Sequence, residues 1–537
     1  MDDLDLSISH VPAQPGEIRG DTIGGLLRAA AADDPDAPCL TEVDIDGRCG
    51  QRWTRGALLR DVERLALALA SRFDAGERVC IWAPNMPEWV MMEYACSLAG
   101  LVLVTANPAY QADELAYVLK QSRAVALFQV ASYRGNPMAE IGRQAAAKVP
   151  AIREIVDLTD HAALFATGDR PGTLPEVDPA SAAMIQYTSG TTGFPKGAVL
   201  PHRAVTNNAR FFVTRTGIGP GDRWLGFMPL FHTAGCGMAV LGSIQAGAEY
   251  LTMPVFDVPQ VLRLIEEERV TAFTAVPTML FALLEHLEHQ PADLSGVDVI
   301  VVGGSMVAPD LARRVIETFG CAFQVVYGQT ETAPLITQHR RAETLEDICT
   351  TIGPVLPAKE VSIRHVRTND PVPIGETGEI CVRGYCNMLG YNDNPEATAA
   401  TIDPEGWLHT GDLGTMDTRG YLTINGRVKE MIIRGGENLF PAEIENCLLE
   451  HPDIAEVAVV GLPDDKWGEI VAAFVRTEDG TPPDVAALRA HCRQRLAPMK
   501  TPVAWFSVAE YPMTGSGKVR KFALREGVET GAYTPLS

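Results

Sequence analysis

Apolar positions along the chain fall into two alternating rhythms. In FDVPQVLRLIEEERV (256–270), Val261, Leu262, Leu264 and Ile265 recur at helical spacing, and Asp257 stands where a helix cap is wanted. The run TAFTAVP that follows is β-branched and extended, so a helix feeds a strand. VDVIVVGGSMVAPDLARRVIETF predicts a strand over 299–302, a glycine turn, and a helix with Pro309 in its first turn; AFQVVYG then predicts another strand. Between about residues 180 and 335 these β-α units predict a parallel sheet flanked by helices, with ligands at the carboxyl ends of its strands. The earlier RVCIWAPN and PEWVMMEYACSLAGLVLV show the same alternation and predict a second such layer.

After about residue 425 the rhythm changes. AEIENCLLEH, AEVAVVGLPDD, GEIVAAFVRT, DVAALRAHCRQRL and VAWFSVAEYP read as helix, strand, strand, helix, strand, which is a compact α+β unit. INGRVKEMIIRGGEN lies between the blocks, and its Gly426, Gly435 and Gly436 suit a hinge. The expected organisation is a large domain over 1–425, a hinge over 426–430 and a mobile small domain over 431–537.

Composition narrows the function. The 537 residues are 46% hydrophobic and carry a formal charge of -23, with no Lys/Arg-rich run, so nucleic acid is not expected as a partner. From Gly426 onward there are 13 basic and 16 acidic residues, so nearly all the net charge precedes the small domain. MDDLDLSISH lacks a basic start and an apolar core, and CSLAGLVLVTA is too short to span a bilayer. No integral membrane segment and a cytoplasmic location are expected. The eleven cysteines show no CxxC pair; Cys381 and Cys386, five apart, read as small apolar residues rather than as metal ligands.

YTSGTTGFPKG (187–197) carries the chemistry. Glycines 190, 193 and 197 let backbone N–H groups point inward, and the hydroxyls of Thr188, Ser189, Thr191 and Thr192 add donors suited to a polyphosphate. The spacing is not that of the nucleotide-binding P-loop, because Gly197 rather than a hydroxyl residue follows Lys196.

This loop resembles the signature of the adenylate-forming superfamily, which includes acyl-CoA synthetases, peptide-synthetase adenylation domains and beetle luciferases. PLFHTAG, GGS, YGQTET, GEICVRG, GWLHTGDLG, GRVKE and PMTGSGK follow in that family's order, so the likeness runs over about residues 50–525. It points to the acyl-CoA synthetase branch. It implies an α/β N-terminal domain of stacked sheets with helices and a small β subdomain, hinged to a small α+β C-terminal domain. It also implies ATP, Mg2+ and CoA: a carboxylate attacks the α-phosphate of ATP, pyrophosphate leaves, and a thiol then displaces AMP. The 188–196 loop, from Thr188 through Gly190 and Gly193 to Lys196, would wrap the β- and γ-phosphates. Thr330 would bond the α-phosphate, and Glu331 would hold Mg2+. Tyr327, with Gly328 and Gln329 beside it, would lie against adenine over the backbone of Gly303, Gly304 and Ser305. Asp412 and Arg427 would take the ribose hydroxyls. Lys518 would bridge the carboxylate and α-phosphate oxygens, and Lys429 matches the hinge position. Gly435, Gly436 and Trp467 would line the CoA channel.

By the same resemblance the acyl pocket is lined by His232, Gly235, Cys236 and Val276. That wall is small or apolar and offers no cation for a second carboxylate, nor an Asp to pair an amino acid's ammonium. An uncharged medium- or long-chain fatty acid, or an aryl or alicyclic acid, is expected. A ligase that loads a carrier protein instead of free CoA is the alternative, and a homodimer is left open.

Overall fold

The computed structural model describes residues 6–14, 16–170, 172–188, 195–304, 307–435, 437–464, 466–477, 480–513 and 519–536. Its first sheet runs, in spatial order, Gly390–Tyr391, Lys196–Pro201, Ala182–Thr188, Val102–Thr105, Arg78–Trp82, Ala124–Gln129, Glu154–Asp157. The last five strands are parallel. The second runs Leu335–Gln338, Ala322–Gly328, Val299–Val302, Ala272–Ala275, Arg223–Gly226, Glu249–Thr252, Pro38–Val43, Cys49–Thr54. Only its outermost two strands are antiparallel to their neighbours.

Two parallel layers are therefore present, but they do not divide in chain order. Strands Ala182–Thr188 and Lys196–Pro201, expected with the later layer, pair into the earlier one beside Val102–Thr105. Strand Pro38–Val43 crosses the other way, onto Glu249–Thr252. Local rhythm announces a strand but carries no information about its neighbour.

A third sheet is antiparallel, with Ile8–Val11, Lys359–Arg364, Gly378–Gly384, Leu408–Met416 and Leu422–Arg427 in that order. It is the small β subdomain. Beyond it, Glu437–Leu439, Ile432–Arg434, Gly468–Thr477 and Ile454–Asp464 form a separate sheet, and Ala504–Ser507 lies parallel to Gly468–Thr477. Helices Pro441–Leu449 and Val485–Arg495 complete the α+β unit around Ile444, Leu448, Leu488 and Trp505.

Local chemistry sets the helix starts. The Asp257 side chain accepts from the Gln260 amide at 3.1 Å, and the helix Val258–Glu267 buries Val261, Leu262, Leu264 and Ile265. Helix Pro87–Leu98 is enclosed on nearly every face, with helices Ile23–Asp33 and Arg55–Arg72 packed against it.

That enclosure takes in Glu93, whose residue is 2% exposed and whose carboxyl oxygens make no hydrogen bond. Burial pushes its pKa up from 4.5 to about 8. The unfolded chain ionises this group first, so folding is progressively disfavoured as pH rises from about 4.5 to about 8, and levels off above. Glu93→Gln should thus gain on the wild type across that window, by on the order of 4 kcal/mol at its top. Melting temperatures of both proteins from pH 5 to 9 check this, and a pH-independent gap would show that Glu93 is ionised in the fold.

Candidate active site

The residues expected at the phosphates, Thr330 and Glu331, follow the end of strand Ala322–Gly328. Gly328 is required there, because a Cβ would stand 2.0 Å from the Pro334 carbonyl. The chain makes one tight turn over Thr330–Thr332, with Gln329 donating its amide to Thr332 Oγ1, and reverses into Leu335–Gln338. Thr330 and Glu331 are held in that turn at 7% and 8% exposure. Glu331 Oε1 accepts from the Tyr391 hydroxyl at 2.7 Å. Burial, followed by the Glu331 charge, holds the Tyr391 phenol above its ordinary range, so it stays a donor.

Tyr391 lies on the edge strand paired with Ala198, and Lys196 Nζ stands 4.9 Å from its ring centre. The first sheet's edge thus delivers Lys196 and Tyr391 to a carboxylate supplied by the second. Tyr391 escaped the sequence reading because nothing local marks it; its role comes from an edge strand nearly two hundred residues after its partner. A largely buried carboxylate with a neighbouring threonine hydroxyl is an all-oxygen donor set, which fits Mg2+.

The two residues expected at the ribose, Asp412 and Arg427, are register partners on the antiparallel sheet. Arg427 Nε lies 3.0 Å from Asp412 Oδ1, and the Tyr327 hydroxyl donates to Asp412 Oδ2 at 2.9 Å. Burial, followed by the Asp412 charge, keeps that phenol protonated. The turn beneath is tied as well: the Thr410 hydroxyl donates to Ile380 O at 2.7 Å, the Asp412 amide donates to Thr410 Oγ1 at 3.1 Å, and the Gly411 amide donates to Glu379 Oε1 at 2.9 Å. A carboxylate braced in this way is a fixed acceptor. Gly304 has φ +84°, and a Cβ on it would meet only Val276, at 3.8 Å. Gly303 is a packing glycine, since its Cβ would press Val326 Cγ2 at 2.7 Å.

On the acyl side, His232 is exposed and its Nδ1 accepts the Ala234 amide at 3.1 Å. The chain then winds into a π-helix, Ala234–Val240, a rare form that often marks functional sites. Gly235 is demanded by the loop itself, because a Cβ would sit 2.3 Å from Pro229 O. Cys236 is wholly buried and takes the Gln186 amide on its Sγ at 3.0 Å. Val276 caps the helix Pro277–His289 opposite Gly304. Of the four residues expected in the acyl wall, His232 is exposed and Cys236 is wholly buried.

In the small domain, Gly435 has φ +59° and donates its amide to Trp467 O at 2.7 Å; a Cβ would stand 2.9 Å from the indole. Trp467 is 44% exposed, with Lys466 Nζ 5.1 Å and Arg434 Cζ 5.8 Å from its ring centre. Lys429 lies in the single turn Val428–Glu430, between Arg427 on the large domain's sheet and Ile432 on the small one. Ser189, Gly190, Thr191, Thr192, Gly193, Ser305, Gly436 and Lys518 lie outside the described residues; Thr188 and Lys196 face each other across the base of the signature loop as register partners.

This arrangement matches known proteins along most of its length. The chain is 36% identical to YngI of Bacillus subtilis (95% of this chain, 97% of the relative). It is 34% identical to the human medium-chain acyl-CoA ligase ACSF2 (95% and 88%). The o-succinylbenzoate CoA synthetase MenE of Bacillus subtilis, solved with its acyl-adenylate intermediate OSB-AMP, superposes with a TM-score of 0.79 at 29% identity (95% and 98%). Another MenE structure, with ATP and a magnesium ion, superposes at 0.78. Residues 27–392 match the family described as AMP-binding enzyme, and residues 443–518 match its C-terminal domain. The chain belongs to the AMP-binding enzyme family, within its acyl-CoA synthetase branch.

Proposed function

We propose that this acid–CoA ligase activates a medium- or long-chain fatty acid, or an aryl or alicyclic acid, whose tail is uncharged, and that its small domain turns about residues 426–430 between two half-reactions. The AMP-forming reaction uses ATP, Mg2+ and CoA. The observation that carries the assignment of roles is the meeting of Lys196, Tyr391 and Glu331 from two sheets, with Asp412 separately braced by Tyr327. It supplies a mobile cation and a carboxylate for the phosphate end and a fixed acceptor for the ribose.

Attack of one anion on another is the problem to be solved. Thr330 would donate to the α-phosphate, Lys196 would offset charge on the β- and γ-phosphates, and Asp412 with Arg427 would fix the ribose. Glu331 would hold Mg2+, which would supply neutralising charge at the phosphates. No general base is required, since a carboxylic acid is already ionised near pH 7. The acyl preference is supported by the small or apolar residues that the sequence offers at Gly235, Cys236, Ala275 and Val276 and by the name of ACSF2, a medium-chain ligase. A hinge is supported by Arg427, which pairs with Asp412 on one side of Val428–Glu430, and by Glu430, which pairs with Lys521 of the small domain at 2.9 Å on the other. No helix among the described residues is long and apolar enough to cross a membrane; we place the protein in the cytoplasm, which fractionation of the source cells would test.

Exchange of labelled pyrophosphate into ATP across a panel of acids tests the reading. Medium-chain or aryl acids should support exchange with Mg2+ present, and exchange with amino acids alone would overturn it. Trp467 is assigned to CoA: Trp467→Ala should raise KM for CoA about tenfold while leaving pyrophosphate exchange untouched, the size expected for one exposed aromatic contact. Equal effects on both half-reactions would move Trp467 out of the channel.

A further inference from the structure

In the antiparallel sheet, strands Gly378–Gly384 and Leu408–Met416 bring three metal-ligating side chains together outside the substrate cleft. Cys381 and His409 are register partners, and Glu379 projects from the same strand as Cys381, two residues earlier. Glu379 Oε2 lies 2.8 Å from His409 Nδ1, and Cys381 Sγ lies 3.4 Å from the same nitrogen. One ligand atom from each falls within 4.8 Å of the others.

We propose that Glu379, Cys381 and His409 form a binding site for one thiolate-accepting divalent cation of the zinc class. A carboxylate and a thiol compete here for one imidazole nitrogen. Nδ1 can serve only one of them by hydrogen bonding, whereas a cation at the point of convergence serves all three. Zinc bond lengths place tetrahedral N, O and S ligands about 3.4–3.6 Å apart. The sulfur–nitrogen spacing already has that value, and the carboxylate needs to withdraw by roughly half an ångström.

The surroundings fit the same ion. His409 turns its other nitrogen, Nε2, toward Asp403 Oδ2 at 3.6 Å, the carboxylate placement that orients a metal-bound imidazole. Asp403 is itself anchored by the Trp407 amide at 2.9 Å and the Asn369 side chain at 3.1 Å. The His409 side chain is 23% exposed and gives an entry path, while Cys381 is fully buried. Binding would displace the thiol proton to solvent as the S–metal bond forms. The sulfur ligand separates this site from the all-oxygen set at Glu331, which suits Mg2+. Because the second Glu379 oxygen holds the Gly411 amide, the ion would brace the turn that presents Asp412.

The experiment uses the full chain, stripped by chelator and titrated with Co2+ in excess Mg2+. One Co2+ per chain should bind with an intense near-ultraviolet thiolate-to-cobalt band that Zn2+ abolishes stoichiometrically. Cys381→Val, close in size and apolar, should lose the band and weaken Zn2+ binding at least tenfold. Asp403→Asn should keep the band and weaken binding about 10- to 100-fold, as outer-shell changes do. Absence of the band in the wild type, or its persistence in Cys381→Val, overturns the site.

Discussion

Lys518→Ala should reduce adenylate formation by about 100- to 1,000-fold, the scale on which loss of one group aimed at developing charge is felt. The reason is electrostatic. The carboxylate and the α-phosphate repel until a cation stands between their oxygens, and on the proposed rotation Lys518 would supply that cation in one orientation of the small domain. Thiolysis of a supplied acyl-adenylate should survive, because that step joins a thiol to an already activated acyl group and, on the proposed rotation, would use another face of the domain. The two half-reactions are measured separately, by pyrophosphate exchange and by AMP release from synthetic adenylate. Equal loss in both would refute the rotation.

Glu331→Gln should cost the first half-reaction about 100-fold and shift its Mg2+ dependence to higher concentration. Glutamine keeps the shape and can still accept the Tyr391 hydroxyl now 2.7 Å from Oε1, so the turn over Thr330–Thr332 should hold and the melting temperature should stay within a few degrees. What it removes is the charge. Tyr391→Phe is the companion: it deletes the hydroxyl and leaves the charge, and should cost far less. If magnesium titrations of Glu331→Gln and the wild type coincide, the carboxylate is not a metal ligand.

Much of this was legible in the chain, and the limits have a physical pattern. Asp257, Val261 and Pro309 marked their helices because capping and amphipathic spacing are local properties. The small domain's helices and strands were readable for the same reason. Sheet membership was not. Ala182–Thr188 sits beside Val102–Thr105, some eighty residues away, and a continuous apolar run looks the same in either layer. Site residues divide likewise. Tyr327, Glu331 and Asp412 were proposed from motifs that lie contiguous in the chain. Glu379 and His409 lay inside quoted motifs without a role, since only cross-strand pairing sets them around Cys381. Gly235, expected in the acyl wall, also has a packing reason that no local pattern shows: its missing Cβ makes way for the Pro229 carbonyl.

The exchange of strands between the two layers has a consequence for biosynthesis. Hairpin Pro38–Thr54 emerges from the ribosome early, but its partner Glu249–Thr252 follows some two hundred residues later, and the sheet's far margin, Leu335–Gln338, later still. Until then the apolar inner strand Pro38–Val43 presents an unpaired edge, the kind of surface that recruits other nascent chains or chaperones. A fragment ending near residue 240 would carry that sticky margin permanently, so neither layer can be produced alone as a well-behaved unit.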